Sequence, residues 1–471
     1  MDPVERLGRL FERGGVITAD RFRRTVELAW PRVVTGFAIM SKQTVDLAMV
    51  GIAVGTAGTA GLAFALAYWG VVALLGLGLA GGTVSLVSRI YGADRPERAS
   101  LVVTQSGLLA VALAVPIMAV FVTLSEPLVR LLGADPASVR YGGTYLTVVA
   151  PAVLFELLNL ISSRTYTGIG DTYTEMVNRA AGALLNVVLS AGLIFGAGLG
   201  VAGAALGTAV STGVVTLTLG WGMTGRSYGG RLGMEPSPVP VSAGRPWVDR
   251  GLLRQLLEIS LPEIGRRLAQ GLIVFPLLWV AAAFGPVVVT AVEVARRVRT
   301  VVNSLNWGLS LASSSLVGRH LGEDDETEAG AVGAGIVRLA FVLYVAAAAA
   351  VALLATPLSQ LFVGTPEAVA RTAPFVVVAA VSAVGQGVDG AATGALIGAG
   401  DTRLPFAASL VGRYLFALPV AVAGLLTPLG VAGLYAALLL EMHVPGWINY
   451  ALFRSGRWKA VSRRYGPPTD A

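Results

Sequence analysis

The chain of 471 residues contains no cysteine, which excludes disulfides and thiolate metal sites. Its two histidines, His320 and His443, are far apart and lack metal-ligand spacing, so no zinc site is legible. Neither a GK[ST] phosphate loop nor a nucleophile elbow occurs. An enzyme reading therefore has no residues to stand on, and no cofactor is expected. Charge is scarce too: 13% of residues are charged, 55% are apolar, and the mean hydropathy is +0.71. A soluble domain carries about 25% charged residues, so the deficit points to lipid as the solvent. Runs such as 101–122 and 336–355 reach the roughly 20 residues of a membrane span, and such runs recur along the chain. The N-terminal stretch MDPVERLGRLFERGGVITADRFRR lacks the apolar core and small-residue cleavage site of a signal peptide. The first span is expected to stay in the mature protein.

A net charge of +7 and an isoelectric point near 9.8 need no nucleic acid to explain them. Arginine gathers ahead of the first span and in 89–98, 226–254 and 454–464, while the intervening loops carry Arg130, Arg140 and Arg371. That alternation is the positive-inside bias. It predicts a multi-pass protein of the cell membrane with both termini in the cytoplasm and the lipid bilayer as its partner. Oligomeric state is left open, a monomer being compatible.

The pattern predicts an all-α polytopic membrane protein of twelve spans, at about 28–54, 59–88, 101–123, 141–166, 174–195, 199–222, 251–283, 287–318, 330–355, 369–397, 404–425 and 430–453. An internal repeat divides them. SRIYGADRPERAS at 88–100 matches GRHLGEDDETEAG at 318–330, TGIGDT at 167–172 matches IGAGDT at 397–402, and LGVAGAA at 199–205 matches LGVAGLY at 429–435, each at an offset of 230 residues. Pro31 and Pro262 open the halves at an offset one larger. Two pseudo-symmetric six-helix lobes of the same orientation follow, an arrangement of parallel repeats related by an axis along the membrane normal. The expected organisation is a cytoplasmic segment 1–27, an N-lobe 28–222, a Gly- and Pro-rich cytoplasmic linker 223–250, a C-lobe 251–453 and a tail 454–471. Such a pair of lobes supports alternating access by rocking. The abundant glycine, 59 residues, suits close approach of transmembrane backbones.

A charge at mid-depth costs about 2.5–3.5 kcal/mol on insertion scales and invites a functional question. Span one carries Lys42 and Asp46, four apart on one helical face. Asp46 lies about 12 Å below the outer end of its span at the helical rise. Asn186 in span five and Thr208 in span six fall at a similar depth, and Ser190 is one turn beyond Asn186. A carboxylate, an amide and hydroxyls form a hard oxygen set suited to a proton or an alkali cation. Asn186 and Thr208 could equally be bonding neighbouring helices, and Lys42 could serve to lower the burial cost of Asp46. In the second half, Asp389 lies deep in span ten with Gln386 one turn away and is a further proton-carrier candidate. Glu258, Glu263, Arg266 and Arg267 read as salt bridges near a span end. Phe64, Tyr68 and Trp69 in span two, with Asn303 and Trp307 in span eight, are candidate liners of an apolar, aromatic substrate cavity; packing against core or lipid is the plainer alternative.

TVDLAMVG at 44–51, the paired GDT turns, the LGVAG segments and the arginine–glycine motifs after spans two and eight together resemble the multidrug and toxic compound extrusion family over about 28–453. The resemblance implies an antiporter that exports amphipathic organic cations or drugs in exchange for H+ or Na+. It implies an N-lobe cation site in which Asp46 matches the span-one aspartate, Asn186 the span-five asparagine and Thr208 the span-six threonine. Ser190 stands where many members have a second aspartate, and Lys42 where an uncharged residue is usual. A flippase for lipids or lipid-linked oligosaccharides is the alternative within the same architecture.

Overall fold

A computed structural model describes residues 3–132, 136–226, 236–241, 247–360 and 366–464. In hydrocarbon every backbone N–H and C=O must be satisfied within its own segment, and the described residues are accordingly helical throughout their apolar runs. The elements are α1 (Pro3–Arg13), α2 (Ala19–Val54), α3 (Thr56–Gly92), α4 (Pro96–Thr123), α5 (Ser125–Leu131), α6 (Pro136–Gly168), α7 (Thr172–Ala191) and α8 (Gly200–Gly222). The second half supplies α9 (Arg250–Leu272), α10 (Val274–Ala283), α11 (Pro286–Gly322), α12 (Glu326–Leu353), α13 (Ala355–Gln360), α14 (Pro366–Gly398), α15 (Arg403–Leu410), α16 (Leu418–Leu426), α17 (Ala432–Arg454) and α18 (Arg457–Arg464). Among the described residues nine helices are long and apolar enough to cross a membrane. Three further long helices, α2, α11 and α17, carry Asp46, Arg299 and Glu441 respectively. The twelve-helix, two-lobe expectation is met.

The repeat is written into the backbone. Asp94 and Asp324 adopt left-handed φ values of 55° and 57°, and Gly170 and Gly400 adopt 91° and 84°, each pair 230 residues apart. Left-handed φ is costly for most L-residues and is taken readily by glycine and sometimes by aspartate. The GDT turns then start helices the same way. Asp171 Oδ1 accepts from Thr174 N at 2.9 Å and Asp401 Oδ1 from Leu404 N at 3.3 Å, each satisfying an orphan amide of the following helix.

Two compact units result: Pro31–Ser260, and Met1–Trp30 together with Leu261–Ala471. The second half of the chain thus holds the N-terminal segment. The Phe11 and Phe22 rings lie 5.2 Å apart, Ile17 sits where Gly335 leaves no Cβ, and Arg21 bonds Glu328 through two nitrogens at 2.8 and 2.6 Å. The C-terminal α18 belongs to the same unit, Trp458 stacking on Phe453 at 5.5 Å and Arg463 pairing with Glu326.

Within Pro31–Ser260, small residues let helices touch through their backbones. A Cβ on Gly61 would stand 2.6 Å from the Ser138 carbonyl, which fixes α3 on α6. Between α7 and α8, a Cβ on Gly207 would come within 2.9 Å of the Ser190 amide nitrogen, and one on Gly203 within 2.9 Å of Ile194 N. This near-contact sets the height at which the polar residues of α7 and α8 face each other.

Candidate functional site

Asp46 on α2, Asn186 and Ser190 on α7 and Thr208 on α8 are 6%, 0%, 0% and 3% exposed. Local sequence explains the convergence: the glycine seam of α8 brings Thr208 beside α7, and the four-residue step from Asn186 to Ser190 keeps both on that face. The Asn186 amide satisfies its neighbours in one orientation. Its Nδ2 then donates to both Asp46 carboxylate oxygens at 3.1 and 3.2 Å, and its carbonyl oxygen accepts from Thr208 Oγ1 at 3.2 Å. The reverse orientation would turn the amide oxygen onto a carboxylate. Ser190, one turn along α7, is buried with its Oγ making no hydrogen bond among the described residues. The hydrogen bonds that the carboxylate accepts thus come from a neutral amide, with the Lys42 ammonium one turn away within electrostatic reach. Among the described residues no three His, Cys, Asp or Glu side chains cluster as a metal site.

Asp46 opens onto a pocket also lined by Lys42, Trp69, Tyr145, Glu156, Asn159 and Arg179. Arg179 Nη2 donates to Glu156 Oε1 at 2.8 Å, and both side chains are largely buried. Below the pocket, Arg32 Nη1 donates to Glu175 Oε1 at 2.8 Å in a fully buried pair. Asn159 is bonded to α8, its Nδ2 donating to the Thr212 carbonyl and its Oδ1 accepting from Thr216. Sequence reasoning passed over Glu156, Arg179, Tyr145 and Asn159. Glu156 and Arg179 lie inside predicted spans four and five, and their intramembrane charge was the available signal. Tyr145 carried no such mark.

Of the candidate cavity liners, Trp69 lies in this pocket. Phe64 and Tyr68 pack against the N-lobe core, and Tyr68 donates its hydroxyl to the Leu128 carbonyl at 2.6 Å. Asn303 accepts from Gln386 Nε2 at 2.6 Å, and Trp307 on the same helix is half-buried.

Asp389, 6% exposed, accepts from Asn449 Nδ2 at 2.7 Å and from Thr393 at 3.2 Å. It too is held by neutral donors. Two other buried carboxylates of that unit are clamped by arginine: Glu263 by Arg266 and Arg267, and Glu441 by Arg299 at 3.1 and 3.3 Å.

The chain and its fold have known counterparts. A protein of Rhodopseudomonas palustris named "Probable multidrug resistance protein NorM" is 27% identical over 458 residues, covering 93% of this chain and 92% of its own length. The human "Multidrug and toxin extrusion protein 1" is 24% identical over 374 residues, which is 78% of this chain and 63% of that protein. A crystal structure of MATE in the bent conformation superposes with a TM-score of 0.86 at 21% identity, covering 95% of this chain and 97% of that one. The MatE family model matches residues 31–191 and 262–423, the two halves of the repeat. With both repeat units matched and no enzymatic constellation in the sequence, the chain belongs to the MatE family of membrane transporters.

Proposed function

We propose that this transporter expels amphipathic organic molecules in exchange for an inward-moving proton, with Asp46 as the group that takes up and gives up that proton. The observation that carries the reading is the buried Asp46 carboxylate, held by Asn186, whose amide is fixed in turn by Thr208, and opening onto a pocket. A carboxylate bonded to neutral donors changes protonation state without breaking an ion pair, whereas an arginine partner would hold it ionised. Relatives named for multidrug resistance and toxin extrusion supply the substrate class. Ser190 brings a hydroxyl, not a second carboxylate, and Lys42 brings a positive charge. Both make the pocket less negative, which favours a proton over Na+ as the coupling ion. Asp389, also among neutral donors, is a second candidate carrier. The charge distribution orients both termini to the cytoplasm of the cell.

The test is dye export from everted vesicles with an imposed proton gradient, in the absence and presence of a Na+ gradient. Export driven by protons alone and abolished in Asp46→Asn is expected. Undiminished export by Asp46→Asn removes Asp46 from the mechanism, and export that requires Na+ assigns the site to that ion.

A further inference from the structure

Helix α1 (Pro3–Arg13) precedes the spans and separates its apolar from its charged residues more sharply than they do. Part of its apolar sector is used inside the protein. Gly8 is buried where a Cβ would meet the Phe22 ring at 3.2 Å, and the Phe11 ring also lies against Phe22. The other part is bare: Leu7 and Leu10, three apart on one face, are 48% and 63% exposed. Arg6 and Arg13 flank Leu10, one turn before it and one turn after, and are exposed as well. Arg9 pairs with Glu5 at 2.6 Å, whereas Arg6 and Arg13 make no ion pair among the described residues. Glu12 stands one turn from the buried Gly8, on the opposite flank of the apolar sector. The basic side of α1 therefore borders its bare leucines.

The contacts of the following turn fix the height of this helix. The Gly15 carbonyl accepts from Arg338 Nη1 at 3.3 Å, and Ile17 packs where Gly335 has no Cβ. Both contacts fall where the apolar run 336–355 of α12 begins, and a run of that length matches the roughly 30 Å of a hydrocarbon core. The C-terminal end of α1 is thus held where hydrocarbon gives way to headgroups. By contrast, α18 meets α12 at Glu326, more than two turns farther from the hydrocarbon. A short helix with an apolar stripe beside arginines, at that height, lies in the plane of the interface, where each basic residue is drawn to anionic headgroups. We infer that α1 binds anionic phospholipid in the leaflet on the side of the termini, Leu7 and Leu10 entering the acyl boundary and Arg6 and Arg13 taking the phosphates. This lipid site is separate from the export proposed above and holds whatever the substrate.

The lack of native cysteine allows a single label on the full chain. Bimane is attached in Leu10→Cys or Glu12→Cys, and the protein is reconstituted one copy per nanodisc with lipids carrying a doxyl quencher near the headgroup end of the acyl chain. In discs containing phosphatidylglycerol the label at position 10 should be quenched strongly and that at position 12 weakly. Leu7→Cys, which leaves Leu10 in place, should repeat the result for position 10. The phosphatidylglycerol fraction giving half-maximal quenching should rise about fivefold for each arginine removed in Arg6→Gln and Arg13→Gln. The double variant Arg6→Lys/Arg13→Lys, which keeps both charges, should behave as the wild type. Both arginines are exposed, so these variants leave the packed face of α1 intact. Equal quenching at positions 10 and 12 overturns the inference. Strong quenching at position 10 that is the same in pure phosphatidylcholine shows apolar contact without headgroup recognition and overturns it too. Absence of lipid quenching, with energy transfer between labels in discs that hold two copies, assigns the leucines to a second copy of the chain and likewise overturns it.

Discussion

In the unit Pro31–Ser260, Asp46 is buried against the neutral side chains of Asn186 and Thr208. In the unit built on the second half, the positions 230 residues after Asn186 and Thr208 are Phe416 and Leu438. There the polar chemistry has moved: Asp389 stands at the repeat position of Asn159, and Gln386 at that of Glu156. Glu441 and Glu263 are bound by arginine. One backbone plan, down to matched left-handed turns, thus carries two ways of burying a carboxylate. An arginine partner keeps the acid ionised and makes it part of the structure. Neutral donors form no ion pair with it, which is what the proposed proton exchange requires.

The comparison breaks most visibly if the arginine-clamped acids are removed. Glu441→Ala leaves Arg299 buried and unpaired, and a loss of about 3–5 kcal/mol is expected. Thermal unfolding in detergent should show a large drop in Tm, and the double variant Arg299→Met/Glu441→Leu should recover most of it. Asp46→Asn, by contrast, should unfold near the wild-type temperature while export fails. A small Tm change in Glu441→Ala would erase the distinction between arginine-clamped and neutrally held carboxylates. Next in size is the seam that sets the site. Gly207→Ala places a Cβ 2.5 Å from Ser190 Oγ, and overpacking of this kind costs about 1–3 kcal/mol. Reduced Tm and reduced export together are expected, and normal export would show that the spacing of α7 and α8 is not critical. Smallest are the paired turns. Asp171→Ala and Asp401→Ala each lose a helix cap, about 1 kcal/mol apiece, and similar Tm shifts from both would confirm that the repeats fold alike.

Much of this was legible in the sequence, because a lipid solvent imposes strong rules. Twelve spans and two repeats, with their paired GDT turns, follow from apolar run length and a constant offset. Depth counting brought Asp46, Asn186 and Thr208 together, since the helical rise converts sequence position into height. It could not show direction. The bonds that orient Asn186 and the route from Asp389 to Asn449 depend on helix rotation, and glycine and alanine spread around a span conceal which face turns inward. Long-range pairing was hidden as well: Arg21 meets Glu328 across 307 positions, so the placement of the N-terminal segment with the second half had no local signal. Glu156 and Arg179 were visible as intramembrane charges, but their pairing was not.

The most direct measurement is of proton flow itself. In weakly buffered proteoliposomes containing a pH dye, an outward substrate gradient should drive a matching proton influx. Wild type should show that flux without Na+, and Asp46→Asn should show none. A proton flux that persists at the wild-type rate in Asp46→Asn would contradict the assignment of Asp46 as the carrier.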